Sequence, residues 1–510
     1  MALFTNLNQM LGRNNYPPTQ ELADRWEWIQ YWSGLREGNE QYVRNEAFRR
    51  GFGGFSRETY ITQPVPHALS QASSNLLFGE EPIIRSADNS DQQRLNQIIS
   101  ENRLLSQCKA AAITTSSEGG VYLKVSVDPE TPRGRAVPIL QFIRETRVLP
   151  QFKGFSELVA ATIVSTWEED EKIYRLLENH SPGYITYELY KGTTTELGTK
   201  LPLSSHPRTQ DIDEEVETGV DELLVSYIPN SLSTDSPFGN SDYGNGVDDL
   251  FLAFNDATSI AHRATQAGVP MTVVPRELLD ENNNLNHEQT IISVNKLADT
   301  LGEGNIKNMV ETIQHQAQQD KFMNYAKEVL DLLLVFSGIS PQSVGRNVDG
   351  GAVSGTALKL KMASTLSTAA GKAAFFEDSL SHMLRLAAIL DQETVGQVDY
   401  VKEGVAWENA EGQISVQLSD GLPNDENETA QIINNLRAAG VISLQESVKR
   451  ANPHMTEDQL EDEVEAIIND QINNLGMTNS LNSTETTQPV EVDIEDNSDD
   501  NDLDDISNNS

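Results

Sequence analysis

The stretch whose residue types and spacing come nearest to chemistry is 345–361, GRNVDGGAVSGTALKLK. Gly350, four further residues, then Gly355 and a threonine approach a nucleotide-binding loop. Such a loop cradles phosphates with backbone N–H groups, neutralises them with a lysine and ligates Mg²⁺ through a hydroxyl. Here Thr356 stands where the lysine must be, and Ala357 follows it. The loop should also leave a buried strand, yet the residues before it have helical periodicity. The better account is a glycine-rich lead-in to a helix, with Ser354 as N-cap, Gly355 as part of the hinge and Gly371 as a kink further along.

Other chemistries find less support. The eight histidines are scattered singly, without a pair at helical metal-ligand spacing. There is no Gly-x-Ser-x-Gly elbow. The acidic run DNSDDNDLDD lacks the central glycine and the terminal glutamate of a calcium loop. The residues therefore give no catalytic, cofactor or metal assignment, and the expectation is a protein that is not an enzyme.

Composition bounds the rest. A chain of 510 residues allows two to four domains. Net charge is −40, and residues 451–510 hold seventeen Asp/Glu with no Lys or Arg. Residues 211–222, DIDEEVETGVDE, form a second acidic run. Such acidity argues against a protein that grips nucleic acid, which would need cations to neutralise phosphates. The one cysteine, Cys108, cannot form an internal disulfide and reads as a small buried apolar residue in a reducing compartment. The first residues lack the charged and apolar regions of a signal peptide. No apolar run approaches the ~20 residues of a membrane span. A soluble, cytosolic protein without a membrane partner is expected.

The elements that must position any site follow from period and punctuation. Residues 17–35 read as a helix capped by Thr19 and closed by Gly34. A second helix runs to Phe78, stops at Gly79 and gives way at Pro82 to an extended segment. Residues 95–128 read as one helix followed by a strand alternating at Val121, Leu123 and Val125. From about 138 to 230 the period is two, with the turn residues of an antiparallel sheet. Helices are expected at 245–268 and 315–338, separated by a mixed segment with a short strand at MTVVP. In 354–390 an apolar stripe through Met362, Leu366, Phe376, Leu380 and Leu384 predicts a very long helix. A strand, two short helices and a final acidic helix (456–476) complete 412–476, and 477–510 reads as disordered.

The order of these parts, with SSNLLFGEEPII (73–84), SGTALKLK (354–361), LSDGLPND (418–425) and AAGVISLQESVKRANP (438–453), resembles the portal proteins of tailed double-stranded DNA bacteriophages of the long-tailed siphovirus type. The resemblance covers most of residues 20–470. It implies an α+β, predominantly helical portal fold of wing, stem, clip and crown, assembled as a ring of about twelve copies around a central channel. On that resemblance 1–244 is the helical and β-rich wing, and 245–268 and 315–338 are the stem helices. The clip is 269–314, with Arg276, Glu277, Asp280, Glu281 and Asn282 as candidates for docking the motor or adaptor. A tunnel loop is expected at 339–353, with Gln342, Ser343, Arg346, Asn347 and Asp349 facing DNA. The long wing helix and following segment occupy 354–411, the crown 412–476 and the acidic tail 477–510.

The implied partners are further copies of the chain, double-stranded DNA passing without sequence preference, the large terminase subunit, a head-completion or tail adaptor protein, and the major capsid and scaffolding proteins. The implied location is the portal vertex of the virion, after assembly in the host bacterial cytoplasm, and no cofactor is implied. Two other classes compete. One is a capsid or scaffold shell component; the other is a nucleotide-driven packaging enzyme, which the missing lysine after Gly355 disfavours.

Overall fold

In the computed structural model, Thr19 opens the first helix, α1 (Gln20–Arg36). Its backbone is extended, and its hydroxyl oxygen accepts from the Leu22 N–H at 3.3 Å, satisfying one of the helix's unpaired donors. The helix does not stop at Gly34. Leu35 is buried in the core and Arg36 bonds to Ser117 and Glu118, so tertiary contacts carry the last turn past the glycine. The structure describes residues 14–38, 60–87, 89–127, 137–154, 157–267, 271–273, 311–313, 319–344, 360, 362–394, 407, 409–419, 426–452, 455 and 457–482. The chain divides into two compact units, Met1–Asp425 and Glu426–Ser510.

In the first unit, helix α2 (Val65–Phe78) begins among prolines and ends at Gly79, and β1 (Ile83–Ser86) follows, as expected. The single helix expected next is two, α3 (Asn89–Asn102) and α4 (Leu104–Glu118), because Arg103 takes a left-handed backbone at φ 49. Asn102 accounts for the break. Its Nδ2 donates to the carbonyls of Ile98 and Pro138, and its Oδ1 accepts from the Leu140 N–H, tying the corner to the next sheet. Apolar periodicity carries no trace of such a bond.

The β-rich region also differs from one sheet. Strands β2 (Gly120–Ser126), β3 (Ile139–Arg144) and, later in the chain, β10 (Val225–Pro229) form a three-stranded antiparallel sheet in the order β10-β2-β3. Strands β4 (Val148–Lys153), β5 (Glu157–Glu169), β6 (Lys172–Ser181), β7 (Tyr184–Gly192) and β8 (Thr199–Leu201) form a second, in sequence order, with β9 (Glu215–Glu217) pairing with β7. The turn at Glu145–Arg147 divides the two sheets. Since β2 is central and buried on both faces, Tyr122 is as enclosed as Val121 and Leu123.

Helix α5 (Val247–Ala267), the short strands β11 (Met271–Val273) and β12 (Glu311–Ile313), and helix α6 (Gln319–Phe336) come next. A 3-10 turn at Pro341–Val344 and then α7 (Ala363–Thr394) are the next described elements. Its 32 residues span about 48 Å at ~1.5 Å per residue. The helical hydrogen-bonding pattern continues through Gly371. The later part of the apolar stripe expected on this helix enters the main core: Phe376, Leu380, Leu384 and Ala387 pack with Phe78, Cys108 and the β2 side chains, and Phe376 meets Phe78 edge-on at 5.2 Å. Met362 and Leu366 pack in a separate cluster with Leu76. Burial pushes the Cys108 thiol far above its ordinary value, consistent with an inert core residue. Strand β13 (Ile414–Gln417) pairs antiparallel with β1 and packs on α7, so it belongs with the first unit and not with the helices after it.

In the second unit lie α8 (Glu426–Ala438), α9 (Leu444–Ala451) and α10 (Glu457–Asn482). The Ser443 hydroxyl caps α9 by accepting from the Glu446 N–H at 3.1 Å. The last helix runs through 477–482, beyond the point where the sequence reads as disordered.

Two predictions arise from this packing. Phe376→Ala should lower unfolding free energy by about 3–5 kcal/mol, as for other fully buried aromatics, while the half-exposed Trp28→Ala should cost far less; urea unfolding of both tests this. On the β6 face, burial alone would raise the Glu178 carboxyl. Hydrogen bonding from His180 Nε2 and the Lys124 ammonium, both at 2.8 Å, outweighs burial and holds it at about 2. A depressed carboxyl adds stability above its ordinary 4.5, and this is lost as pH falls from there toward 2. Lys124→Met should therefore move acid unfolding to higher pH, followed by circular dichroism.

Candidate functional site

The region with a recognisable architecture is the helix pair α5/α6 and the elements that hold it. Apolar residues at steps of three and four make both helices amphipathic, and their buried faces meet. Phe251 and Leu252 of α5 join Leu333 and Leu334 of α6, and both helices rest on Trp32, Leu35 and Leu69 of α1 and α2. At the far end of the pair, Thr265 Oγ1 donates to Gln319 Oε1 at 2.8 Å. Just beyond, β11 and β12 pair antiparallel in the register Met271↔Ile313, Thr272↔Thr312 and Val273↔Glu311. The segment between the helices thus leaves and returns through one two-stranded neck.

The ionisable residues of the pair are mixed in sign: Asp248, Asp249, Asp256, Asp320, Glu328 and Asp331 against Arg263, Lys321 and Lys327. Excess acid on these helices gives no continuous cationic track of the kind that neutralises phosphates. Among the described residues no cluster of His, Cys, Asp or Glu could hold a metal ion. Among the described residues no helix is long and apolar enough to cross a membrane.

The entry to α5 is anchored by a buried polar network that sequence reading did not find. Lys372 of α7 donates from Nζ to Asp242 Oδ2 and to Ser73 Oγ at 2.9 Å. Asp242 also accepts from Ser116 Oγ and from Asn230 Nδ2, each at 2.7 Å. Tyr243, fully buried, donates to the Pro66 carbonyl at 2.6 Å. The Lys372–Asp242 pair thus joins α2, α4, α7 and the loop that leads into α5.

Two further buried carboxylates fix the neighbouring helices. Glu118, fully enclosed, takes both forks of Arg144 (2.8 and 3.1 Å), Arg36 at 3.4 Å and the Ser33 hydroxyl at 3.2 Å. Burial nevertheless raises its carboxyl, because the arginines offset only part of the desolvation. Arg25 bonds to Glu145 and to the carbonyls of Glu118 and Gly239. It passes so close to Gly119 (φ 98) that a Cβ there would overlap its guanidinium and the Gly239 oxygen. The only sequence signal was indirect: serines and threonines on the core-facing sides of α2 and α4, in SQASS and TTSSE.

The residues expected to face DNA are only partly within the described structure. Gln342 and Ser343 lie in the 3-10 turn after α6 and are half-buried. Ser343 Oγ lies 3.0 Å from Ser340 Oγ, and the Ser340 N–H donates to Thr365 Oγ1 at 2.6 Å, so this turn is pinned to α7. Arg346, Asn347, Asp349, Ser354 and Gly355 lie outside the described residues, as do Arg276, Glu277, Asp280, Glu281 and Asn282. Gly371 is on the exposed side of α7, where an added Cβ would meet nothing within 4 Å.

This helical pair, with its closed neck and the long helix after it, lies in the part of the chain that carries the sequence pattern of phage portal proteins. Residues 248–473 match the family model described as phage portal protein, SPP1 Gp6-like, and the resemblance noted from the sequence holds over that stretch. Among solved structures, the neck of a native GTA particle computed with C12 symmetry is similar at 13% identity and a TM-score of 0.40, covering 76% of this chain and 89% of that one. The neck of an empty GTA particle computed with C6 symmetry is similar at 14% identity and a TM-score of 0.37, covering 80% and 92%. A comparison with curated proteins finds no match.

A prediction tests the network. Lys372→Met should cost about 3–5 kcal/mol by leaving Asp242 without its ammonium, and adding Asp242→Asn should recover part of that loss. Chemical denaturation of the two single variants and the double variant measures the coupling.

Proposed function

We propose that this chain is the subunit of a portal ring at one vertex of a phage-type capsid, through which double-stranded DNA is packaged and ejected. The observation that carries the reading is the portal-family match over residues 248–473, which spans both helices of the pair, the neck between them and α7. On this reading α5 and α6 are the stem, and the insertion closed by β11 and β12 is the clip that docks the large terminase subunit and later the tail adaptor. The major capsid and scaffolding proteins surround the ring in the virion, after assembly in the bacterial cytoplasm.

The physical requirement on a conduit is weak holding. Each phosphate neutralised by a fixed cation strengthens binding and slows sliding, so a channel built from a chain of net charge −40 repels its cargo and leaves it free to move. No chemistry is assigned to the ring; work on the DNA comes from the docked motor.

Light scattering and negative-stain imaging of the purified protein should give closed rings near about twelve times the 56.4 kDa chain, with a hole wide enough for a duplex. Closed shells, or ATP hydrolysis by the pure protein, would sink the reading. Shortening 346–352 should impair DNA packaging while rings still form. Loss of ring assembly would make that segment structural.

A further inference from the structure

Where the end of α6, the loop 230–247 and the middle of α7 meet, there is an open cavity of about 550 Å³. Asn230, Ser241 and Thr368 contribute amide and hydroxyl groups to its lining, but more of the surface it presents is apolar. Its rim carries apolar side chains that a lone chain leaves in water: Leu232 is 62% exposed and Phe336 68% exposed. The apolar surface continues from Phe336 along the last turns of α6 through Val335 and Leu332, both at least half-exposed or nearly so. Gly371 forms part of the cavity wall, which is why a Cβ there would touch nothing.

The charge of this surface identifies its occupant. Among the described residues, Asp242 and Lys372 are the only ionisable ones lining the cavity, and they are paired with each other. On a chain of net charge −40 this is a locally neutral, apolar-rimmed patch. A cationic partner or a metal ion would be drawn to the acidic surface elsewhere, whereas two copies of so acidic a chain repel each other least where neither presents net charge. We infer that a second copy of this chain docks here, with part of its surface seated in the cavity beside Gly371 and packed on Phe336 and Leu232. The inference rests on the ring reading above and assigns the face by which one subunit receives the next. In the ring the contact is head-to-tail, so the cavity receives a different surface of the next copy. Asp242 and Ser73 take two of the three Lys372 protons, and the third suits a carbonyl oxygen of the incoming chain.

The test uses the full chain. Gly371→Trp fills the cavity without a steric conflict at Cβ, and Phe336→Glu puts charge on the rim. Both should unfold at the wild-type temperature yet need at least about tenfold more protein to form rings, as expected for centrally placed contacts. Leu232→Cys gives a second readout that needs no disruptive change. Cys108 is 1% exposed, so maleimide reports on position 232 alone, which should label rapidly in monomer and at least about tenfold more slowly in rings. Rings that form normally from both variants, or unslowed labelling at 232, would overturn the inference and leave the portal reading intact. A wild-type chain that forms only two-fold dimers, or no oligomer even with capsid and scaffolding proteins present, would instead overturn the portal reading.

Discussion

A lysine ammonium and a carboxylate enclosed together between helices cannot be rearranged at small cost. Removing either charge from water costs several kcal/mol, recovered only if the partner and the remaining hydrogen bonds are all in place. Lys372 and Asp242 meet that condition through Ser73 of α2, Ser116 of α4 and Asn230 at the start of the loop that carries Asp242. The register of α7 against α2 and α4 and the take-off point of α5 are therefore set by one ion pair. Hydrophobic packing alone would tolerate small slips along these smooth, alanine- and serine-rich helix faces. The pair does not.

Glu118 and Glu145 extend the same logic toward the sheets. The guanidinium of Arg25 bonds Glu145 and closes on the carbonyls at the end of α4 and at Gly239, and Arg36 and Arg144 clamp Glu118 from α1 and β3. Buried carboxylates, among them Glu118, Glu145 and the Asp391 that pairs with Arg94, give the first unit its specificity, while the stripe of α7 runs through its largest apolar cluster.

Much of this fold was legible in the sequence wherever a local signal sufficed. Thr19 as a cap, the stop at Gly79, the strand alternation near Val121 and the stripe on α7 each depend on residues a few positions apart. The failures share a different physics. Arg103 breaks a helix because Asn102 bonds to Leu140; Gly34 stays helical because Arg36 reaches Glu118; and Lys372 finds Ser73 across 299 residues of chain. None of these partners can be read from periodicity. The candidate site was legible as an order of parts and not as chemistry, because the helix pair is defined by amphipathic packing and by the return of the chain through β11 and β12. Glycine content pointed to the loop after α6, but that the turn at Gln342 and Ser343 is pinned to Thr365 needed tertiary structure.

The two-stranded neck of β11 and β12 has an evolutionary meaning. Three residue pairs bring the chain back beside its own point of departure, next to the Thr265–Gln319 bond. Whatever stands beyond the neck, the helices on its near side receive the same pair of chain ends at the same separation. Residues 274–310 can therefore be exchanged, lengthened or replaced by descent without altering the helix pair or the patch beside Gly371. Selection can then vary that segment while the framework that carries it stays constant.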